Sequence, residues 1–486
     1  VSPAATDPGK AATCFVDAAW VGTEREFPVT DPATGAVVGA ASDAGDHEVE
    51  RAVGAAAHAF PGWAMWTAAE RGAALRRISA ALLEDAERIA DVITAEQGKP
   101  RAQAAWEVRY ATEWVDWFAE EGRRAYGRVV PATVPGKRLL VLRQPLGVAA
   151  AITPWNFPVA MIARKLAPAL AAGCTLVVKP AEQTPLSAVA MFEAIERADI
   201  PPGVANLVTT DRPEAVGGAL VEDPRVRKIT FTGSTEVGKV LVRASATNLA
   251  RVSLELGGQA PFVVFDDADL DAAVQGVIAS KFQVNGQSCL CANRVYVQSG
   301  VREEFAGRLA EAVGTLVLGP GAEPASDVGP LIDDRAFAKV ASHVEDAVSR
   351  GATVAVGGER RTGGAFDGGY FFEPTLLAGC TDTMLVAREE TFGPIAPILE
   401  FADEGEVVGR ANDTAFGLAA YFYTRDLGRA LRVAEGLEYG IVGVNDPRPA
   451  SPSAPFGGFK QSGLGREGGQ EGLDAFLETK LVSIAY

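Results

Sequence analysis

The chain has 486 residues, and 62 Asp and Glu outnumber 45 Lys and Arg to give a formal charge of −17. Hydrophobic residues at 48% and charged residues at 22% are ordinary globular values and argue against disorder. The acidity disfavours nucleic acid or an anionic membrane as the main partner, because phosphate recognition needs clustered Lys and Arg, and no apolar run approaches the ~18 residues of a membrane-spanning helix.

At roughly 150 residues per domain, the length predicts about three domains, or two large ones with an appendage. Val1–Lys10 lacks the basic-then-apolar pattern of a secretion signal. Residues 11–40 read as short strands and turns, and 46–60 as a helix. Thr67 with Glu70 forms a capping-box pattern, and Leu75, Ile78, Leu82, Ile89 and Ile93 then recur at helical spacing up to a stop at Gly98-Lys99-Pro100. A second helix follows with Trp106, Tyr110, Trp114 and Trp117 on one face; the stripe reads as core packing or as a pocket wall. Residues 128–143 read as an isolated hairpin.

From residue 145 the pattern changes. Apolar runs at 146–153, 175–180, 205–209 and 226–232 alternate with helical segments at 160–172, 185–198 and 213–221. Continuous β-rich runs between helices predict a parallel sheet covered on both faces, with ligands at the carboxyl ends of its strands. A second α/β series, with strand candidates at 262–265, 294–297, 352–356 and 440–444, runs to about residue 445. A Gly-rich stretch and a terminal strand at 480–485 close the chain. The fold class is therefore α/β, with two doubly wound parallel-sheet domains and a small separate sheet.

Five cysteines are too few for a disulfide scaffold and fit a reducing, cytoplasmic setting. His47, His58 and His343 show no metal-ligand spacing, so no metal is expected and catalysis would fall to Cys, Glu, Lys, Asn or a cofactor. Cys289 lies among Gly286, Gln287 and Ser288 rather than in an apolar run, which suits a nucleophile as well as a packed thiol. Glu255 ends an apolar strand at Gly257-Gly258; burial would raise its pKa toward that of a general base, unless it is a salt-bridged structural group. Asn156, between Pro154 and Pro158, either donates to a developing oxyanion or merely makes a turn. Gly233 to Lys239 follows a strand and matches a phosphate loop, but Val240 stands where such a loop carries Ser or Thr. Its Gly-Ser turn either offers N–H groups to a phosphate or simply joins strand to helix.

The ordered set PWNFP (154–158), KPAEQTP (179–185), FTGS (231–234), ELGG (255–258), GQSC (286–289), EETFGP (389–394) and PFGGFKQSGLGRE (455–467) resembles the NAD(P)-dependent aldehyde dehydrogenase superfamily over nearly the whole chain. ITPWNFP, the Cys289-x-Cys291 pair and GLGREG resemble its succinate-semialdehyde dehydrogenase branch. The resemblance implies a cofactor domain of residues 1–127 and 144–256, a catalytic domain of 257–445, and an oligomerisation arm from 128–143 with 446–486, giving a homodimer or homotetramer. It implies that Cys289 attacks the aldehyde, that Asn156 and the Cys289 amide hold the oxyanion, that hydride passes to the nicotinamide, and that Glu255 activates water against the thioester. Lys179 joins the catalytic set and, with Glu182, the adenosine ribose. Thr153, Pro154, Trp155, Gly233, Ser234, Val237, Leu256, Glu390 and Phe392 complete the cofactor site. Glu182 would repel a 2′-phosphate, so NAD is expected over NADP.

The substrate residues depart from the branch. Its carboxylate clamp has two arginines and a serine; Arg164 matches the first, but Gln283 and Ala450 stand at the other two positions, with Ser451 and Arg448 nearby. Losing one Arg from such a clamp typically costs about 2–5 kcal/mol. Succinic semialdehyde therefore competes with neutral, aromatic or amino aldehydes, for which Trp114, Trp117 and Phe456 would form walls. Cys291, two residues from the nucleophile, lies at the edge of disulfide reach, since such Cα atoms are about 6.5–7 Å apart in extended chain. A reversible, protective Cys289–Cys291 bond or a small pocket-lining residue are the two readings.

Overall fold

The computed structural model describes residues 14–486; the reading of Val1–Lys10 lies outside the described residues. The amino-terminal half is built on an eight-stranded sheet whose centre runs, in spatial order, Arg251–Glu255, Val226–Thr232, Val148–Ile152, Thr175–Lys179 and Ala205–Leu207, all parallel. Every residue of Val148–Ile152 and Thr175–Lys179 is buried, as sheets covered on both faces require. The crossovers are the helices Ala160–Ala172, Pro185–Arg197, Pro213–Glu222 and Thr235–Ser245. Antiparallel strands close both edges: Cys14–Val16 with Ala19–Val21 on one side, and the two-residue Gly463–Leu464 on the other.

The second sheet has seven strands in the order Thr353–Val356, Thr375–Ala378, Ile395–Phe401, Ala292–Gln298, Ala260–Val264, Ala419–Tyr423 and Ile441–Val444, parallel except at the first pair. Three of these lie outside the predicted strands. Ile395–Phe401 carries Pro397, a residue that normally argues against an inner strand. Ala419–Tyr423 follows an apolar run that periodicity cannot assign to helix or strand. Thr375–Ala378 has only four residues.

The helix predicted from Thr67 to Gly98 is two helices, Ala68–Glu84 and Ala86–Gln97. Asp85 ends one and begins the next while ion-pairing with Arg88 and Arg197, yet Leu82 and Ile89 stay seven residues apart, so the apolar stripe crosses the break in phase. The capping box is present: the Glu70 amide donates to Thr67 Oγ1 at 3.3 Å and the Thr67 amide to Glu70 Oε2 at 2.7 Å. Gly98, at φ +84°, ends the second helix in the left-handed region.

A separate three-stranded sheet joins Arg128–Val130, Lys137–Pro145 and the terminal Leu477–Ala485, the last two paired along nine residues. It leaves Val129, Leu142, Leu481 and Ile484 exposed. Among the described residues no helix is long and apolar enough to cross a membrane.

Candidate active site

Strand register brings the motifs together. Lys179 pairs with Ile152, Ile152 with Phe231, and Thr232 with Glu255, so four adjacent strands end on one line. Past that line come Thr153–Phe157, Gly233-Ser234 and Leu256–Gly258. Cys289 lies just before the strand Ala292–Gln298, whose first residue pairs with Ala260, so the nucleophile loop faces the same line from the second sheet. Gly258 permits the approach: a Cβ there would sit 2.7 Å from the Cys289 carbonyl oxygen.

The Cys289 loop is held in an uncommon conformation. Val284, Asn285 and Gly286 have φ of +49°, +58° and +74°. For a β-branched residue such as Val284 this is strained and persists only when the surroundings enforce it. Gln103 Oε1 accepts from the Val284 amide at 2.6 Å. The Asn285 side chain accepts from Gly329 N at 2.6 Å and donates to Pro330 O at 2.9 Å. A Cβ on Gly286 would collide with the Gly393 backbone.

Cys289 lines a cavity of ≈ 490 Å³. Burial pushes its thiol up to about 12, with Glu390 and Glu255 adding to the shift and Arg164 opposing it. Asn156, buried, donates one amide hydrogen to Gln287 O at 3.0 Å, which leaves its second hydrogen free, and the Cys289 amide has no hydrogen-bond acceptor among the described residues. Two free donors therefore flank the thiol loop, as an oxyanion site requires. Glu255 is buried with neither carboxylate oxygen hydrogen-bonded. Burial first, and the negative charge of Glu467 second, hold its carboxyl well above the usual range.

Glu467 is a residue the sequence reading missed. It accepts from Arg164 Nε at 2.7 Å and from Lys165 Nζ at 2.6 Å, and Lys165 also donates to Thr232 Oγ1 at 2.6 Å. The signal was there in Arg164-Lys165 inside the otherwise apolar helix Ala160–Ala172, since buried cations demand an anion.

The residues expected to hold a cofactor lie at the carboxyl ends of the first sheet's strands, except Glu390 and Phe392, which precede the strand Ile395–Phe401 of the second sheet. Ser234 caps the helix Thr235–Ser245, accepting from Val237 N at 3.3 Å, and a Cβ on Gly233 would strike the Phe231 ring. The next glycine, Gly238, would place a Cβ 2.7 Å from Leu256, while Val237 stands exposed. Lys179 Nζ donates only to Pro180 O, at 3.0 Å, and lies 3.7 Å from the partly exposed Glu182 carboxylate. Thr153 Oγ1 is buried without a partner. Glu390 accepts from Gly258 N at 2.9 Å, burial pushes it up to about 7, and a Cβ on Gly257 would lie 2.6 Å from its other oxygen. Trp155 and Phe392 meet edge to face at 5.5 Å. A cap with free amides, an orphaned buried hydroxyl, an acid set to accept hydroxyls and two side-chain-free glycines fit a dinucleotide.

Of the substrate candidates, Arg164, Gln283, Arg448 and Phe456 line the cavity, together with Ala450. Trp117 and Ser451 do not. Trp117 packs on the core below, and Ser451 Oγ pairs with Ser453 Oγ at 2.9 Å. Trp114 is also outside, buried beneath the Arg164 guanidinium at 4.6 Å. The walls come from one to three turns earlier on that helix, from Trp106 and Tyr110, stacked at 4.8 Å. Arg164 is further covered by the Phe456 ring at 3.8 Å and has one buried guanidinium nitrogen without an acceptor. Cys291 lies outside the cavity; its thiol donates to Lys281 O at 3.4 Å, and both cysteines are free thiols. His343 is buried against Thr391, 3.1 Å away, and among the described residues no group of acids, thiols and imidazoles could hold a metal.

Residues 20–482 match the aldehyde dehydrogenase family. The chain is 52% identical to the glutarate-semialdehyde dehydrogenase of Pseudomonas putida over 97% of each chain. It is 52% identical to the succinate-semialdehyde dehydrogenase [NADP(+)] of Escherichia coli over 94% of each. The crystal structure of succinate-semialdehyde dehydrogenase from Burkholderia pseudomallei superposes with a TM-score of 0.96 at 50% identity, covering 99% of this chain and 100% of that one.

Proposed function

Because the chain belongs to the aldehyde dehydrogenase family, and is thereby an NAD(P)-dependent oxidoreductase of aldehydes, we propose that it oxidises an aldehyde with an anionic far end, such as succinic semialdehyde, using NAD⁺ and Cys289. The observation that carries this is the cavity itself: Cys289, Arg164 and the exposed Arg448 line it together, and Arg448 has no ion-pair partner among the described residues. The semialdehyde names of the relatives point the same way. Gln283 and Ala450 favour a second reading, a neutral or aromatic aldehyde against Trp106, Tyr110 and Phe456.

The chemistry follows from the residues in place. Cys289 Sγ, once deprotonated, adds to the carbonyl carbon; the free Asn156 amide hydrogen and the Cys289 N–H donate to the oxygen as it becomes negative. A bound nicotinamide dinucleotide supplies the hydride acceptor. Lys179 and Glu182 would hold its adenosine ribose, Ser234 its phosphates, and Glu390 its second ribose. Loss of the aldehyde hydrogen as hydride lets the C=O bond re-form and leaves the substrate as a thioester on Cys289. Glu255, whose carboxyl is held above the usual range by burial and by Glu467, takes a proton from water; the oxygen attacks the acyl carbon, the C–S bond breaks and the acid leaves. The first sheet serves the cofactor and the second carries the nucleophile. The exposed apolar residues of the three-stranded sheet support its use in homo-oligomerisation.

Initial rates of NADH formation over a panel of succinic, glutaric, neutral and aromatic aldehydes test the substrate. A lead of a hundredfold or more in kcat/KM for the acids, about 2.7 kcal/mol, is expected; a lead for neutral aldehydes of matched length refutes the anionic reading. Parallel assays with NAD⁺ and NADP⁺ test the cofactor, and equal kcat/KM values would remove the argument from Glu182.

A further inference from the structure

Lys99 and Glu107 form a wholly buried ion pair, 2.5 Å between Nζ and Oε2, that none of the chemistry above uses. A buried pair of this kind is weak evidence for stability, because desolvation offsets most of its attraction. What the two side chains hold is specific. Lys99 Nζ donates to the backbone carbonyl of Asn156 at 2.6 Å and lies 4.5 Å from the Phe157 ring centroid. Glu107 Oε1 accepts from the amides of Val159 and Ala160 at 2.9 and 3.1 Å, the N–H groups that open the helix Ala160–Ala172. Both charges therefore act on one five-residue segment, 156–160.

The same corner of chain also touches the nucleophile loop. Gly98, adjacent to Lys99, accepts from Asn285 Nδ2 at 3.5 Å, and its backbone oxygen leaves no room for a Cβ on Gly329. Gln103, on the helix that carries Glu107, accepts from the strained Val284 amide. Asn156 closes the circuit by donating to Gln287 O, two residues before Cys289. The oxyanion donor comes from the first sheet and the thiol from the second, and no strand runs between them to set their spacing.

We infer that Lys99 and Glu107 are positioning residues that fix the Asn156 amide relative to the Cys289 thiol, the ammonium by clamping the Asn156 carbonyl and the carboxylate by anchoring the turn that follows. The inference rests on the reading of Asn156 as an oxyanion donor. Neither charged group lines the cavity, so the pair acts through the segment 156–160 that it holds. Misplacing a donor by about 1 Å costs on the order of a hundredfold in rate, so the clamp is visible in kcat.

The test is a mutant cycle. Lys99→Met alone leaves Glu107 as a buried unpaired charge, which destabilises the fold, so the informative variant is Lys99→Met with Glu107→Gln, which is neutral and keeps an acceptor for the Val159 and Ala160 amides. It is combined with Asn156→Ala, with rates normalised to the Cys289 thiols titrated by iodoacetamide. The expected result is a kcat fall of about 30- to 100-fold in the Met/Gln pair, with KM for NAD⁺ changed less than threefold. Adding that pair to Asn156→Ala should then cost less than a further threefold, because groups acting through one residue are not additive. Wild-type kcat in the Met/Gln pair, or a full multiplicative loss on top of Asn156→Ala, overturns the inference. If Asn156→Ala itself keeps its rate, the underlying reading of Asn156 fails instead.

Discussion

Replacing Glu467 by Gln should move the pH profile and the stability in separable ways. Glu467 bonds both Arg164 and Lys165, each buried, at 2.7 and 2.6 Å. Its negative charge is the second cause, after burial, of the raised pKa of Glu255, while Arg164 and Lys165 oppose that shift. With Gln in place, the anion is gone and the two cations remain, so the charged form of Glu255 is favoured. Glu255 must be deprotonated to take a proton from water. In the native enzyme the acid limb of kcat therefore lies well above the usual carboxylate range, and activity rises with pH through it. In Glu467→Gln the limb moves to lower pH, because the like charge that disfavours the Glu255 carboxylate is gone. Stability moves the other way for a different reason. Two buried cations lose their counter-ion, which typically costs about 3–5 kcal/mol, reduced because the Gln oxygen still accepts one of the two bonds. The assay is kcat against pH with succinic semialdehyde, alongside thermal unfolding. A limb that stays in place or rises, with Tm lowered, would show that Glu467 is a structural counter-ion with no electrostatic hold on Glu255.

Gly258→Ala forces a Cβ to 2.7 Å from Cys289 O and 3.3 Å from Leu418 Cβ. The backbone oxygen must retreat by roughly half an ångström, and kcat should fall about tenfold or more while the protein still folds; unchanged single-turnover rates would contradict this. Glu182→Gln leaves Lys179 without its carboxylate 3.7 Å away and should raise kcat/KM for NADP⁺ relative to NAD⁺ by about tenfold, one charge removed beside a doubly negative phosphate. An unaltered ratio by initial rates would show that Glu182 does not read the 2′ position. Arg448→Ala should raise KM for succinic semialdehyde about fivefold or more and leave butanal unaffected, since an exposed cation contributes about 1 kcal/mol. Equal effects on both aldehydes would make Arg448 a loop residue only.

The first sheet was legible because its inner strands are short, continuous apolar runs: Val148–Ile152 and Thr175–Lys179 are buried on both faces and read as such. Ile395–Phe401 was hidden because Pro397 breaks the rule for an inner strand, and Asp85 was hidden because a helix break in phase leaves the stripe intact. Trp117 shows the limit of a periodic stripe. Helical spacing puts Trp106, Tyr110, Trp114 and Trp117 near one face, but how far along that face the cavity reaches depends on what packs there, and the core claims the last two.

The sequence by itself determined the chemical types at the site, because each is tied to a local signal: a thiol after Gly-Gln-Ser, an acid at a strand end before two glycines, an amide between prolines. Only the tertiary structure decided what those groups do to one another. Strand register lines up Lys179, Ile152, Phe231, Thr232 and Glu255. Glu467 and Arg164 are 303 positions apart, and Lys99 clamps a carbonyl 57 positions away. Interactions of that separation leave no period or spacing in the chain, because they are set by how two sheets pack and not by the turn of any one helix or strand.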